Sequence, residues 1–515
     1  MLKEKIIKLI SSYSAAVIFL SLLIFCLFLQ RDFLIYRDFS IIWHGALLVA
    51  EGYTPWNDFI MPVSPLSIYF VGLFLSLTEK SWLAFQIFQI IMNCILLALI
   101  SIFLIKFERN RILIIISLIT FAFFYLIFLT HPWYNNFGSF FLLVSIILAN
   151  YRSKALIFFS GIFSALTIFI KIDFGFMAAF SAFAVIFYRF KNNDRKLLFQ
   201  NISIFFLGLL SFLIFFISLY QDQVLHTTIE TMSIVSMGRF ERIFRILEIK
   251  NIFLISIALW CLFYASKYKK HFFSYGLVIL SSVITSIFGG LEHTHYYFMF
   301  VLPPILYLCF QEKGKNKHLF FLLPMIIYIT IPALRLNAHI AENYLTGSFE
   351  SEYFNKRNIK SDIEIISLES CSKYLVNVYG PSDFCSLDKI LESRLKASGN
   401  ETNQILNFSE LNFLSTHYRI SPIKNHPLWY KYGQTINKNF IEMIYKEINN
   451  GDYKHILVQN VPENYSSHKS RKELINYIKQ TKRYSLDEKI YKSPMCMIIG
   501  RPIQECGIYF FQQIE

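Results

Sequence analysis

Charged residues are scarce in this chain, and their scarcity excludes a soluble globular protein. Only 16% of the 515 residues are charged, whereas 55% are hydrophobic and 55 residues are phenylalanines. A typical soluble domain has about 25% charged residues. Apolar runs of roughly 17 to 25 residues, the length that spans a hydrocarbon core, recur through the first two thirds of the sequence. The composition therefore predicts a polytopic α-helical membrane protein.

Other absences narrow the function. The apolar runs contain almost no ionisable residues near their centres, and the chain has no pair of similar halves. A transporter or flippase of lipid-linked or soluble sugars is expected to have both features. A receptor or scaffold that used the spans only as an anchor would not need so many of them. No cysteine or histidine spacing matches a zinc site, so no metal ligand is predicted and a divalent metal cofactor is not supported.

Basic residues predict the orientation in the membrane. Lys and Arg are concentrated in the N-terminal segment and in short loops at 106–111, 150–154, 189–196, 266–271 and 311–318. Because cytoplasmic loops are enriched in Lys and Arg, these segments and the N-terminus are predicted to face the cytoplasm. The first apolar run has no convincing cleavage site and is expected to stay as the first span. This alternation predicts about eleven spans.

The same alternation predicts the domains. Residues 1–336 form a transmembrane domain with a long first outer loop, 30–81, and residues 337–515 form an extracytoplasmic α/β domain. The short apolar stretch 66–77 is predicted to be a re-entrant or interfacial helix within that loop, because a crossing there would turn every later basic loop outward. The net charge of +14 does not indicate a nucleic-acid partner, since much of it lies in loops that face anionic lipid. A bacterial inner membrane is the predicted location.

The last third has the composition of a soluble domain. KYLVNVYG and KHILVQNV are predicted as buried strands, SRKELINYIKQT as an amphipathic helix, and IYKSPMCMIIGRP as a closing strand. Cysteines at four positions lie in this region: Cys371, Cys385, Cys496 and Cys506. In an oxidising compartment they could pair, and the sequence leaves the pairing open.

The first outer loop is the most polar interruption near the start of the sequence. Asp38 or Ser40 can cap a helix that runs to about Glu51, where Gly52 can end it. A turn is predicted next, over Tyr53, Pro55, Trp56 and Asp58. The PLSIY segment then returns the chain to the interface. Carboxylates, a histidine and aromatic residues therefore meet where a lipid headgroup would approach an external substrate.

The run DFSIIWHGALLVAEGYTPWNDF followed by PLSIY resembles the first periplasmic loop of GT-C glycosyltransferases, in the branch with protein O-mannosyltransferases and lipid A aminoarabinose transferases. The resemblance implies a polyprenyl-phosphate-linked sugar donor, a glycan, lipid or protein acceptor, and cell-envelope chemistry by inverting single displacement. It also implies that Asp38 is the catalytic base and that Asp58 is the second acidic residue of the site. An O-antigen ligase or polymerase would share the donor and stays an alternative.

Further site residues are predicted on the outer face. The cations that could hold the leaving lipid phosphate are Lys171, Arg239, Arg242, His293 and His295. The substrate or acceptor candidates are His44, His131, Asn135 and Glu292. Simpler roles stay open, because a lysine can extend to the interface and arginines can form a solvated helix face. HPWYNN at 131–136 has no aspartate where members of the resembling family usually carry one.

Overall fold

The computed structural model describes part of the chain. The described residues are 32–33, 37–61, 65–107, 110–124, 132–191, 195–244, 247–268, 272–289, 301–311, 365–376, 378–382, 385, 389, 391–393, 404–409, 414–415, 418, 420–430, 436–460, 468–492 and 507–514. Side chains at 37–39, 106–107 and 220–244, among others, are not described. The chain divides into two compact units, residues 1–29, 86–221 and 239–345 in unit 1 and residues 30–85, 222–238 and 346–515 in unit 2.

Helices dominate the part of the chain before residue 312. They are α1 (Arg37–Ala50), α2 (Leu66–Leu77), α3 (Trp82–Phe107), α4 (Arg111–Phe124), α5 (Tyr134–Ala149), α6 (Lys154–Ile168), α7 (Ile172–Phe190), α8 (Arg195–Phe244), α9 (Ile249–Tyr268), α10 (Phe272–Gly289) and α11 (Leu302–Gln311). Their apolar sequences favour helices that bury side chains against one another or against lipid. The predicted helix-rich fold is confirmed at this level.

Three helical segments of the described residues are long and apolar enough to cross a membrane, namely Trp82–Ile105, Ile172–Phe190 and Arg195–Leu219. Shorter apolar helices of 10–17 residues accompany them. Large apolar side chains point outward on α8, where Leu207 and Ile214 are more than half exposed. An apolar outer surface of this kind is typical of helices that face lipid. The predicted count of about eleven spans stays a prediction, since several expected spans lie outside the described residues.

The helices of unit 1 pack through small and hydroxyl-bearing residues. A Cβ atom added at Gly161 of α6 would lie 2.1 Å from the backbone oxygen of Phe205 in α8, so the two backbones touch there. Ser145 Oγ of α5 lies 2.7 Å from Ser164 Oγ of α6. Small residues and hydrogen bonds between hydroxyl groups hold helices together in membranes, because burial of apolar surface gives little driving force there.

The sequence predicts that the segment from about residue 221 to 250 lies on the outer face, after the span that ends near Tyr220. Helix α8 continues without a break through this segment to Phe244. The hydropathy falls after Tyr220, but no proline interrupts the following residues. A change in polarity alone does not end a helix. Arg239 and Arg242 therefore lie on a helix rather than on an extended loop.

Unit 2 contains both the first outer loop and the C-terminal region. Strand β1 (Asp32–Phe33) pairs in parallel with β3 (Val378–Pro381), which pairs antiparallel with β2 (Ile365–Ser367). A second sheet of the described residues has the order β4 (Ile405–Phe408), β5 (His455–Gln459), β7 (Gly507–Gln513) and β6 (Tyr484–Lys492). The helices of this region are α12 (Lys438–Asn450) and α13 (His468–Thr481).

The second sheet buries one face against the two helices. Ile456 and Val458 of β5 pack with Ile444 of α12 and with Leu474 and Ile478 of α13. Alternate residues of a strand point to the same face, so His455 and Gln459 lie on the other face. The predicted α/β fold of the tail agrees with this arrangement.

The elements predicted in the tail agree unevenly with the structure. KHILVQNV and SRKELINYIKQT are a strand and a helix, as expected. KYLVNVYG is a strand only from Val378, because the preceding residues form a turn in which Val378 N–H bonds to the Leu375 oxygen. Helix α12 and strands β2, β4 and β7 were not predicted. Most of the expected closing strand and the boundary at residue 336 lie outside the described residues.

Candidate functional site

The first outer loop folds as a pair of closely packed helices. Helix α1 begins at Arg37, so Asp38 lies in its first turn rather than at the cap position that was predicted. Helix ends fray, and their assigned bounds commonly shift by one or two residues. A Cβ atom added at Gly72 of α2 would lie 2.7 Å from Val49 Cγ1 and 2.9 Å from the Ala46 oxygen. Glycine therefore permits the contact between α1 and α2.

The predicted turn follows α1. Gly52 has a φ of +99°, a left-handed conformation that suits the residue after a helix. Asp58 Oδ2 accepts a hydrogen bond from Thr54 N–H at 2.6 Å and so closes the turn. Trp56 is held at a φ of +71° and donates its backbone N–H to the Phe59 oxygen at 2.7 Å. Asp58 is half-buried and stabilises the turn. Its predicted role as the second acidic residue of the site stays a prediction.

The loop is attached to the C-terminal region within unit 2. Its start pairs as β1 with β3, and its end donates Trp82 N–H to the Tyr374 oxygen at 2.8 Å. Between these points, Ile60 N–H donates to the His426 oxygen at 2.8 Å. A disulfide between Cys371 and Cys385 closes the segment that holds both ends of the loop. The sequence left this pairing open, and Cys496 and Cys506 lie outside the described residues.

His44 lies on the buried side of α1. Its ring is only 4% exposed, and burial lowers the pKa of His44 to about 4, so the ring is neutral at pH 7. A neutral ring can exchange hydrogen bonds but cannot supply a positive charge to an anion. Its predicted contact with substrate or acceptor stays a prediction. Nothing is described of the Asp38 side chain.

A second polar site lies in unit 1, where two helices begin. Lys171 immediately precedes α7 and is only 6% exposed. Its Nζ donates a hydrogen bond to Asn135 Oδ1 at 2.6 Å and lies 3.4 Å from Asp173 Oδ2. The ammonium also lies 5.5 Å from the ring centre of Tyr134 and 4.9 Å from that of Phe174. The sequence predicted Lys171 as a ligand of the lipid phosphate and Asn135 as a contact of substrate or acceptor. The structure brings the two side chains into contact.

Two atoms of this cluster lack hydrogen-bond partners. Asn135 Nδ2 and Asp173 Oδ1 are buried and make no hydrogen bond. The orientation of the amide follows from Lys171, since the ammonium can only bond to the oxygen. Buried polar atoms without a partner are uncommon and call for a physical explanation. Asp173 lies two residues after Lys171 in the sequence, and no role was predicted for it.

The structure does not describe the side chains of the remaining predicted site residues. Arg239 and Arg242 lie on α8, where side chains are not described. Four others lie outside the described residues, namely His131, Glu292, His293 and His295. Within the described part of the chain, no group of three or more His, Cys, Asp or Glu residues could hold a metal ion. The metal prediction is therefore untested.

A polar patch between α3 and α5 was missed. Gln89 Nε2 donates to Asn93 Oδ1 at 2.7 Å, and both face a small cavity that Asn136 also lines. The volume of about 10 Å³ has room for about one water. The signal in the sequence was a pair of amides four residues apart within an apolar run, which places them on one helix face.

The C-terminal region contains a buried network around His426. His426 Nε2 donates to Glu447 Oε1 at 3.3 Å, and His426 Nδ1 shares a hydrogen bond with the Tyr430 hydroxyl at 3.0 Å. The Tyr453 hydroxyl also donates to Glu447. Burial alone would raise the pKa of Glu447, but the bonds from His426 and Tyr453 outweigh it and hold that pKa below its usual range. The partners come from separate segments, so sequence spacing gave no signal.

Comparisons with known proteins give matches among solved structures. No protein-family model matches the chain, and no curated protein matches it. The chain is similar to an Archaeoglobus fulgidus oligosaccharyltransferase crystallised with a tethered acceptor peptide containing the NVT sequon. The TM-score is 0.44 at 11% identity, over 98% of this chain and 74% of that one.

A second crystal structure of that oligosaccharyltransferase, in complex with Zn and sulfate, gives a TM-score of 0.44 at 13% identity, over 93% of this chain and 72% of the other. At these values the likeness assigns neither activity nor residues.

Proposed function

We propose that the chain is an integral membrane glycosyltransferase that moves a sugar from a polyprenyl-phosphate donor to an acceptor on the extracytoplasmic face. The observation that carries the proposal is the buried Lys171–Asp173 pair, with 3.4 Å between Nζ and Oδ2, at a break between apolar helices. Ionisable residues in such surroundings are costly, and in membrane proteins they mark functional sites.

The proposed reaction is a single displacement. The acceptor oxygen forms a bond to the anomeric carbon while the bond from that carbon to the phosphate oxygen breaks. The electron pair of the broken bond leaves with the lipid phosphate, and the acceptor proton passes to a carboxylate. Proton transfer of this kind contributes about 10² to 10⁴ in rate. The resemblance assigns the base to Asp38, in the first turn of α1.

The leaving phosphate needs a cation or oriented hydrogen-bond donors, not a proton donor. Lys171 is the first choice, because among the predicted phosphate ligands its side chain is described, and it lies buried immediately before α7. Asp173 offsets part of its charge, so the ammonium alone does not make a strongly positive site. Arg239, Arg242, His293 and His295 remain proposed partners of the same phosphate.

The proposal is tested with purified protein in detergent and labelled polyprenyl-phosphate hexoses and pentoses, with membrane extract as acceptor. Transfer of label is the expected result. Asp38→Asn should lower turnover by about two orders of magnitude or more while the protein stays folded, because asparagine tolerates a helix start but accepts no proton. Glu79→Gln changes an exposed carboxyl of the same loop and is the matched control. A folded Asp38→Asn variant with normal turnover would exclude Asp38 as the base.

A transporter or flippase is the second candidate, because a buried ion pair beside a helix break is also found in transporters. Proteoliposomes distinguish the two. Movement of a labelled lipid-linked sugar between leaflets without any acceptor favours transport. Label that stays with its lipid until an acceptor is added favours transfer.

A further inference from the structure

We infer that Asn135 and Asp173 form a subsite for the hydroxyl groups of a sugar. The inference rests on the proposed function and deepens it. It begins with two atoms that the fold leaves unused, Asn135 Nδ2 and Asp173 Oδ1, neither of which has a hydrogen-bond partner. Asn135 is 2% exposed and the Asp173 side chain 13% exposed.

Lys171 holds both side chains in place. Its Nζ bonds to Asn135 Oδ1 at 2.6 Å and lies 3.4 Å from Asp173 Oδ2. The oxygens that face the ammonium are thereby used, and the opposite atom of each group is left to a ligand. One of these atoms is a donor and the other is an acceptor. The subsite is therefore rigid and has mixed hydrogen-bonding character.

The mixed character selects the class of ligand. A phosphate oxygen would suit the amide of Asn135 but would be repelled by the carboxylate of Asp173. A cation would suit Asp173 but would meet the Lys171 ammonium. A hydroxyl group can accept from the amide or donate to the carboxylate, so hydroxyl groups suit both atoms. Sugars present several such groups on one rigid ring.

A subsite of this kind discriminates strongly. When a site is built to bond a hydroxyl, a ligand without that hydroxyl leaves buried polar atoms unpaired and is rejected. Lys171 then acts as a positioning residue for sugar recognition, in addition to any contact with phosphate. The hydroxyls belong either to the sugar of the lipid-linked donor or to a sugar acceptor, and the experiment separates these sources.

The test measures equilibrium binding to the full chain in detergent, with polyprenyl-phosphate hexoses, bare polyprenyl phosphate and free hexoses as separate probes. Asn135→Asp keeps an oxygen for Lys171 but removes the donor, and Asp173→Asn removes the charge of the acceptor. Each should weaken sugar binding by about ten- to a hundredfold and change binding of bare polyprenyl phosphate by less than about threefold. Loss with the lipid-linked hexose assigns the subsite to the donor sugar, and loss with free hexose alone assigns it to the acceptor.

Asn136→Asp makes the same change at the next residue of α5, which lines the small cavity beside Gln89 and Asn93, and is the matched control. Unchanged sugar affinity in both variants would mean that the two atoms hold only water, and would overturn the inference. Equal loss for lipid phosphate with and without sugar would also overturn it, in favour of a phosphate site.

If neither variant folds, the subsite is tested with the unaltered protein. Lipid-linked and free hexoses that each lack one hydroxyl are then compared with the complete sugars. At least one of them should bind about tenfold more weakly, and equal binding of all of them would refute the subsite. Sugar binding without transfer would refute the proposed function but leave the subsite intact.

Discussion

The backbone N–H of Ile60 donates a hydrogen bond to the carbonyl oxygen of His426 at 2.8 Å, and Leu428 N–H returns one to the Ile60 oxygen at 3.3 Å. The His426 ring is fixed in turn by Tyr430 and Glu447. His426 thus joins the first outer loop to the buried network of the C-terminal region. The turn with Asp58 ends two residues before Ile60, so its position depends on this contact.

Replacing His426 by Phe should loosen that connection. The phenyl ring keeps the contact with Phe440, 5.1 Å away between ring centres, but leaves Tyr430 and Glu447 without the imidazole. The free energy of unfolding should fall by about 1 to 3 kcal/mol, the usual result when buried polar groups lose a partner. Thermal unfolding measures the loss, and hydrogen exchange should become faster at Ile60.

Lys438→Ala is the control for this prediction. It breaks an exposed ion pair with Glu442, which contributes little to stability. Stability of His426→Phe equal to that of this control would contradict a structural role for His426.

Acid should destabilise the protein through His44. Burial lowers the pKa of His44 to about 4, whereas the unfolded chain takes up the proton near pH 6.5. The contribution is fully present above about pH 6.5 and is lost as the pH falls toward 4, by about 3 kcal/mol in total. His44→Leu should show a flatter loss of unfolding free energy over this range. Parallel pH profiles for the two proteins would disprove the assignment.

Reduction of the Cys371–Cys385 disulfide should release the segment that holds both ends of the first outer loop. The bond joins residues 14 positions apart, and closing a loop of that size contributes about 3 kcal/mol. The Cys371→Ser, Cys385→Ser double variant should therefore unfold at lower temperature and expose residues 365–381 to protease. Replacement of the half-buried Cys94 by Ser, with no disulfide involved, is the control. Identical protease patterns would argue against a role of the bond in the loop.

If a cation holds the leaving phosphate, removing that cation should slow turnover of the donor. Loss of a charge-assisted hydrogen bond costs roughly 1.5 to 3 kcal/mol, about ten- to a hundredfold in rate. Alanine at Lys171, Arg239 or His293, in that order of expectation, should slow donor turnover by this amount in at least one case. The rates would be measured after confirming that each variant is monodisperse. Normal turnover in all three would remove the phosphate assignment.

The interfacial placement of α2 can be tested by labelling. Glu79 and Ser153 are both exposed, and the predicted topology puts Glu79 outside and Ser153 inside. In intact cells, Glu79→Cys should react with a membrane-impermeant maleimide, and Ser153→Cys should react only after permeabilisation. The unaltered chain gives the background from its own cysteines. If Ser153→Cys is labelled from outside, α2 or another segment crosses where none was expected.

Local signals in the sequence predicted local structure well. The helix ending before Gly52, the turn closed by Asp58 and the helix over PLSIY all follow from residues within a few positions of one another. Such features need no knowledge of the rest of the fold.

Contacts between distant segments were beyond the sequence. Asn135 and Lys171 were named separately, but no spacing showed that α5 and α7 start side by side. His426 gained its partners only by folding, and the continuation of α8 past Tyr220 depended on the absence of a stop rather than on a positive signal. Tertiary packing decides these features, and a single sequence records it weakly.

The attachment of the first outer loop to residues 365–381 and 426–428 sets an order on biosynthesis. The ribosome adds about 5 to 20 residues per second, so the loop waits on the order of tens of seconds before its partners exist. During that time Asp32–Phe33 has no strand beside it, and the peptide groups of Ile60 and Trp82 depend on water. The helices can insert one after another, but unit 2 is completed only once the C-terminal region has been made. A chain that stalls before Val378 would already be in the membrane and still lack the support of its own loop.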